Sequence, residues 1–168
     1  TSTIAERVVQ ANVLARHLNG FAHRMDVPDS VFDINELLDE ELALILRFAK
    51  LKGVSISSRF QGGLPSVDSN PALLQFILFA LIDSIISRLE CAGEINVITL
   101  ESGGNVQVRI EVAGATPEDG GRIFHKDLAE LIRFAVKKIN ISFDGPVDKG
   151  RVSFTLNIPS AGGPGAPC

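Results

Sequence analysis

The run Leu73–Ile86 constrains this chain more than any other stretch. It reads Leu-Leu-Gln-Phe-Ile-Leu-Phe-Ala-Leu-Ile-Asp-Ser-Ile-Ile, apolar on nearly every side of a helix. An amphipathic surface helix needs cover along one stripe, whereas a helix apolar all round must be covered on both sides. The run is shorter than the roughly 20 apolar residues that a membrane span requires. Gln75, Asp83 and Ser84 also interrupt it. It is therefore predicted to be the buried centre of a folded core, with the rest of the chain supplying its cover. A start signal precedes it: Asp68, Ser69 and Asn70 stand before Pro71, and the helix is predicted to run to about Leu89.

The flanking segments read as that cover. A helix is predicted over Ile34–Leu51, with Asp33 as N-cap, Leu38, Leu42, Ile45, Leu46 and Ala49 as its apolar face, and Lys52-Gly53 as its stop. Its carboxylate run Asp39-Glu40-Glu41 reads as a solvated face. Val54, Ile56 and Arg59-Phe60 read as a strand closed by Gly62-Gly63-Leu64-Pro65. Beyond the central helix, Glu94–Glu101 and Val106–Val112 alternate apolar and polar residues across Ser102-Gly103-Gly104-Asn105, a hairpin turn. A polar loop, Thr116–Gly121, leads to a helix over about Lys126–Lys138. Strands at Ile139–Phe143 and Arg151–Ile158 then pair across Asp144–Gly150. This order predicts an α/β two-layer sandwich, a mixed and mostly antiparallel sheet with helices on one face.

A helical arm precedes the sandwich. Ile4, Val8, Ala11, Ala15, Leu18, Ala22 and Met25 recur at alternating spacings of four and three, a heptad seam over residues 3–25. Leu14 and Phe21 add a second apolar strip. One isolated helix cannot cover so wide a face, so a homodimer is expected. Val27-Pro28-Asp29-Ser30 reads as a linker. The predicted organisation is a dimerisation arm at 1–28, the sandwich at 31–159 and a disordered Pro/Gly/Ala tail at 160–168.

Composition narrows the function classes. A net charge of −4 with no basic cluster argues against a nucleic-acid partner. Cys91 and Cys168 lie far apart and suggest neither a disulfide framework nor a zinc site, which fits a reducing, cytoplasmic setting. No signal peptide and no membrane contact are expected. The sequence opens on Thr1 without a methionine, as expected of a piece of a longer protein.

Several phrases, in order, resemble one family. Asp33-Ile34-Asn35-Glu36-Leu37-Leu38, then Ala49-Lys50-Leu51-Lys52-Gly53-Val54, then Leu64-Pro65-Ser66-Val67-Asp68 resemble the opening of a histidine-kinase ATPase domain of the GHKL, or Bergerat, type. Leu73–Leu78 resembles the run into that family's N-box, Gly93–Val97 the strand after it, and Gly150–Pro159 its closing strand. Together these cover about residues 33–159. Ala15-Arg16-His17-Leu18-Asn19-Gly20-Phe21-Ala22 is similar to the end of the second dimerisation helix in these kinases. The helix bearing the phosphorylated histidine would then lie before Thr1.

The resemblance implies where a nucleotide site would be. The family's N-box has a metal-coordinating asparagine four residues after another asparagine, and these two fall on Asp83 and Phe79. Gln75, Phe79, Asp83 and Ser87 are spaced four apart and share a helix strip. Asp83 is a candidate Mg²⁺ ligand, although its charge would also repel phosphates; the plainer reading is a helix-edge carboxylate near Arg88. The adenine-binding aspartate falls on Ala113, followed by Gly114-Ala115-Thr116-Pro117, and the glycine-rich lid has no counterpart beyond Gly120-Gly121. The vestigial pocket is thus Phe79, Asp83, Ala113 and Gly114. Phe79 is expected to fill it, packing on the sheet or on the Ile123–Phe134 region. Among the histidines, His17 is a weak candidate phospho-acceptor, because Leu18 follows it where the family has an acid. His23 and His125 read as polar helix-face and helix-start residues.

No bound cofactor is expected, and the chain resembles phosphorelay histidine phosphotransferases whose ATPase domains are dead. That resemblance implies a dimerising scaffold or docking module for a response-regulator receiver domain. The alternatives are an ATP- and Mg²⁺-dependent sensor kinase with its histidine upstream, or an anti-sigma or adaptor protein acting by sequestration.

Overall fold

The computed structural model describes residues 4, 5, 8, 29–89, 93–114, 126–148 and 151–162. Along the chain these form β1 (Ser30–Phe32), α1 (Ile34–Leu51), β2 (Ser55–Phe60), β3 (Val67–Ser69), α2 (Pro71–Arg88), β4 (Glu94–Ser102), β5 (Asn105–Ala113), α3 (Lys126–Lys138), β6 (Ser142–Asp148) and β7 (Val152–Pro159). The main sheet has five strands in the order β2-β4-β5-β7-β6, parallel only between β2 and β4. The helices lie on one face. Val106, Val108, Ile110 and Val112 of β5 and Val152, Phe154, Leu156 and Ile158 of β7 form the buried floor beneath them.

The central helix behaves as its composition demands. Asn70 accepts the N–H of Leu73 at 3.0 Å and Pro71 opens the helix. α2 packs between α1 and α3 and buries nine residues, from Ala72 to Ile86. Among the described residues it is the one helix long and apolar enough to cross a membrane, and here its apolar surface serves the protein's own core. α1 starts on Asp33, whose side chain accepts the N–H groups of Asn35 at 2.7 Å and Glu36 at 3.3 Å. The β4–β5 turn places Gly103 and Gly104 at φ +60° and +79°, the left-handed pair that a tight two-residue hairpin requires.

Five expectations need correction. Ser30, read as linker, and Asp68-Ser69, read as the approach to α2, are strand residues: β1 and β3 pair antiparallel as a separate two-stranded sheet. Strands of three residues are too short to show a period. The last hairpin begins at Ser142, not Ile139, and extends to Asp148; Ile139 and Ile141 are buried at the exit of α3, where Asn140 takes φ +54° and turns the chain. Ser160 and Ala161, assigned to the tail, belong to the fold: Ser160 Oγ donates to the Gly104 carbonyl at 2.6 Å, and Ala161 N–H donates to the Ser66 carbonyl at 2.8 Å. Glu41 is not part of a solvated face. It is 1% exposed, because it falls three residues after Leu38 and four before Ile45 on the buried stripe. Leu46, assigned to the apolar face of α1, lies on the flank of that stripe and is 45% exposed.

A polar junction ties the start of α1 to the end of the parallel pair. Asn35 Nδ2 donates to the Gln61 carbonyl at 2.9 Å, and Thr99 Oγ1 donates to Asn35 Oδ1 at 2.8 Å while accepting the Gln61 N–H at 3.1 Å. Thr99 is 2% exposed, so Asn35→Ala strands a buried hydroxyl. The expected cost is about 1–3 kcal/mol, read as a lower urea midpoint with an unchanged slope.

Ile4, Ala5 and Val8 are helical, and Ile4 and Val8 are exposed. The remaining seam positions, Ala11, Ala15, Leu18, Ala22 and Met25, lie outside the described residues, as do residues 163–168.

Candidate functional site

The strip of α2 expected to line a nucleotide slot is not uniformly polar or open. Gln75 and Asp83 are half-buried and Ser87 is exposed, whereas Phe79, between them, is 6% exposed and belongs to the continuous core. Asp83 Oδ1 is shielded from solvent. Among the described residues no group of three or more His, Cys, Asp or Glu side chains is placed to hold a metal ion. Asp83 is thus the single carboxylate on this strip.

The other side of the expected slot is the end of β5. Successive strand side chains alternate between faces, and Val106, Val108, Ile110 and Val112 face the helices. Ala113 pairs with Glu94, so its side chain belongs to the opposite, solvent-side face. Gly114 follows the strand at φ +87° and has no side chain. Neither Ala113 nor Gly114 supplies an acid. A two-residue period would have given the outward placement of Ala113 from sequence, because Val112 marks the inward phase.

α3 covers the sheet through Ala129, Ile132, Ala135 and Val136. Phe134, in the stretch expected to pack on Phe79, points outward and is 69% exposed. It sits off the inward stripe that Ile132 and Val136 define. Ala115, Thr116, Pro117, Gly120, Gly121, Ile123, Phe124 and His125 lie outside the described residues, as do His17 and His23.

The outer face of the sheet is polar. Gln107 Nε2 donates to Asn157 Oδ1 at 2.6 Å, Ser57 Oγ donates to Asn96 Oδ1, and Arg59 and Arg109 flank Ile98 across β2-β4-β5. Most of these residues suit a solvated face, whereas Asn96 is buried and its side-chain oxygen accepts the Ser57 hydroxyl.

No protein-family model matches the chain, and no curated protein is significantly similar to it. Solved structures are another matter. The catalytic domain of histidine kinase ThkA superposes with a TM-score of 0.65 at 16% identity, over 79% of this chain and 97% of that one. The chain has the fold of a histidine-kinase catalytic domain. Acinetobacter baumannii histidine kinase AdeS matches this fold with a TM-score of 0.64 at 17% identity, over 95% of this chain and 83% of its own. ThkA in complex with the response regulator TrrA matches with a TM-score of 0.63 at 17% identity, over 89% of this chain and 49% of that chain.

Proposed function

We propose that this chain is a non-catalytic module of two-component or phosphorelay signalling, a histidine-kinase fold that dimerises through its arm and docks a response-regulator receiver domain. The observation that carries the reading is Phe79, an aromatic ring embedded in the core at the position where the resemblance implies the first N-box amide, facing ligand. Ala113 on the outer face and Gly114 without a side chain add to it. These residues do not fit Mg²⁺–ATP: the purine loses its selective carboxylate, and Asp83 alone cannot replace a pair of amides. Sites built around a buried hydrogen bond discriminate by about 10⁴ or more, so loss of that partner removes most of the recognition.

The ThkA–TrrA complex supports a response-regulator partner for the same fold. Cysteine usage fits a cytoplasmic setting. The exposed Ile4 and Val8 at the start of the heptad seam support a homodimer. Leu18→Glu is expected to convert the dimer to monomer or aggregate in sedimentation velocity, and a stable monomer for the unmodified chain contradicts the dimer.

Thermal unfolding with and without nucleotide tests the loss of binding. A ligand present at about 100 times its dissociation constant stabilises the folded state by roughly 2.7 kcal/mol. For a domain of this size that raises Tm by about 5–10 °C. Mg²⁺–ATP at about 1 mM, 100 times a dissociation constant of roughly 10 μM, is expected to leave Tm unchanged. A rise of that size supports the active-kinase reading.

A further inference from the structure

We propose that the open edge of β2, with the groove beside it, is a docking site for an extended, acidic segment of a partner protein. This goes beyond the nucleotide question and stands whether or not the domain binds ATP. Among the described residues β2 pairs on one side only, with β4. The N–H of Ser55 donates to the Gly93 carbonyl at 3.0 Å, and the N–H of Gln61 donates to the Thr99 carbonyl at 3.3 Å. Residues of a strand turn their backbone groups to alternate sides, so the odd-numbered positions serve β4. Ile56, Ser58 and Phe60 then present N–H and C=O to the open edge. β2 carries neither proline nor bulge, two of the devices that keep an edge from pairing.

A groove of about 470 Å³ opens where this edge begins. Its walls include Leu46, Arg47 and Lys50 of α1 and Val54 and Ile56 at the start of β2. An added strand would lay alternate side chains against Leu46 and Ile56, while its backbone pairs with the edge. Charge selects the occupant. Arg47 and Lys50 are exposed and form no ion pair with another described residue, and Arg59 projects from the opposite, outer face of the same strand, so cations stand on both sides of the edge. On a chain of net charge −4 this is a local positive site. It matches a segment with carboxylates and apolar side chains at alternate positions.

The probe is a fluorescein-labelled peptide of alternating Glu and Val, with a Lys/Val peptide of equal length as control, added to the full chain. Fluorescence anisotropy is expected to show binding of the Glu peptide and at least about tenfold weaker binding of the Lys peptide. The triple variant Arg47→Glu, Lys50→Glu, Arg59→Glu is expected to reverse that preference. Ser58→Pro removes one outward N–H and leaves the β4 ladder whole, since proline is tolerated where the N–H faces solvent; binding is expected to fall about tenfold, the equivalent of roughly 1.4 kcal/mol. Hydrogen exchange on the unmodified chain gives a readout independent of any variant: the amides of Ile56, Ser58 and Phe60 gain protection with the Glu peptide. Equal binding of both peptides, no binding of either, or unchanged exchange at these three amides overturns the proposal.

Discussion

Phe79→Ala is expected to lower the unfolding free energy by about 3–5 kcal/mol, the cost of emptying an aromatic core position. Domain stabilities are about 5–15 kcal/mol, so the variant stands near the folding threshold and its urea midpoint falls steeply. The expectation follows from the ring's 6% exposure within a core that runs from α1 through α2 to the sheet. Phe79→Asn is expected to cost at least as much, because it adds an amide that needs hydrogen-bond partners inside the core. It should not create nucleotide binding. A loss below about 1 kcal/mol on truncation to Ala would mean that the ring faces open space and not packed core.

Gly145→Val is expected to be comparably severe. Gly145 sits at φ +138° where the β6–β7 register shifts between Asp144 and Val147. A Cβ built there meets the Ser153 carbonyl at 2.8 Å, Phe154 Cδ1 at 2.9 Å and Phe154 Cα at 3.0 Å. Two of these atoms are backbone, and the third belongs to a ring that is 1% exposed and stacked on Phe143. Neither neighbour can yield cheaply. Backbone strain of about 1–3 kcal/mol adds to an overpacking cost of similar size, so a loss of roughly 2–6 kcal/mol is expected by chemical denaturation. Gly62, with nothing within 4 Å of a built Cβ and no positive φ, is the control position. Gly62→Ala should change stability little.

Much of the architecture was legible because its signals are local. Asp33 and the Asn70-Pro71 pair mark where α1 and α2 begin, the two glycines after Ser102 can occupy left-handed φ, and the alternation in β5 and β7 marks strands with one wet face. What stayed hidden depends on contacts between distant residues. The β1–β3 pair joins short segments that show no pattern until Ser30 meets Ser69. The burial of Glu41 is a matter of helical phase, and its place between Leu38 and Ile45 on the buried stripe outweighed the reading of Asp39-Glu40-Glu41 as one acidic block. The Asn35–Thr99–Gln61 junction links residues up to 64 positions apart. At the candidate site, the sequence marked Phe79 and the missing acid, while the outward turn of Ala113 rests on the β4–β5 pairing that sets it beside Glu94.

This histidine-kinase fold is expected to hold no nucleotide, and the decisive measurement is a calorimetric titration of Mg²⁺–ATP into the full chain. The titration should be repeated on Ala113→Asp, whose new carboxylate would project from the outer face beside Glu94 and away from α2. No saturable heat is expected for either protein. A saturable binding isotherm for the unmodified chain, with a dissociation constant in the micromolar range, would contradict it.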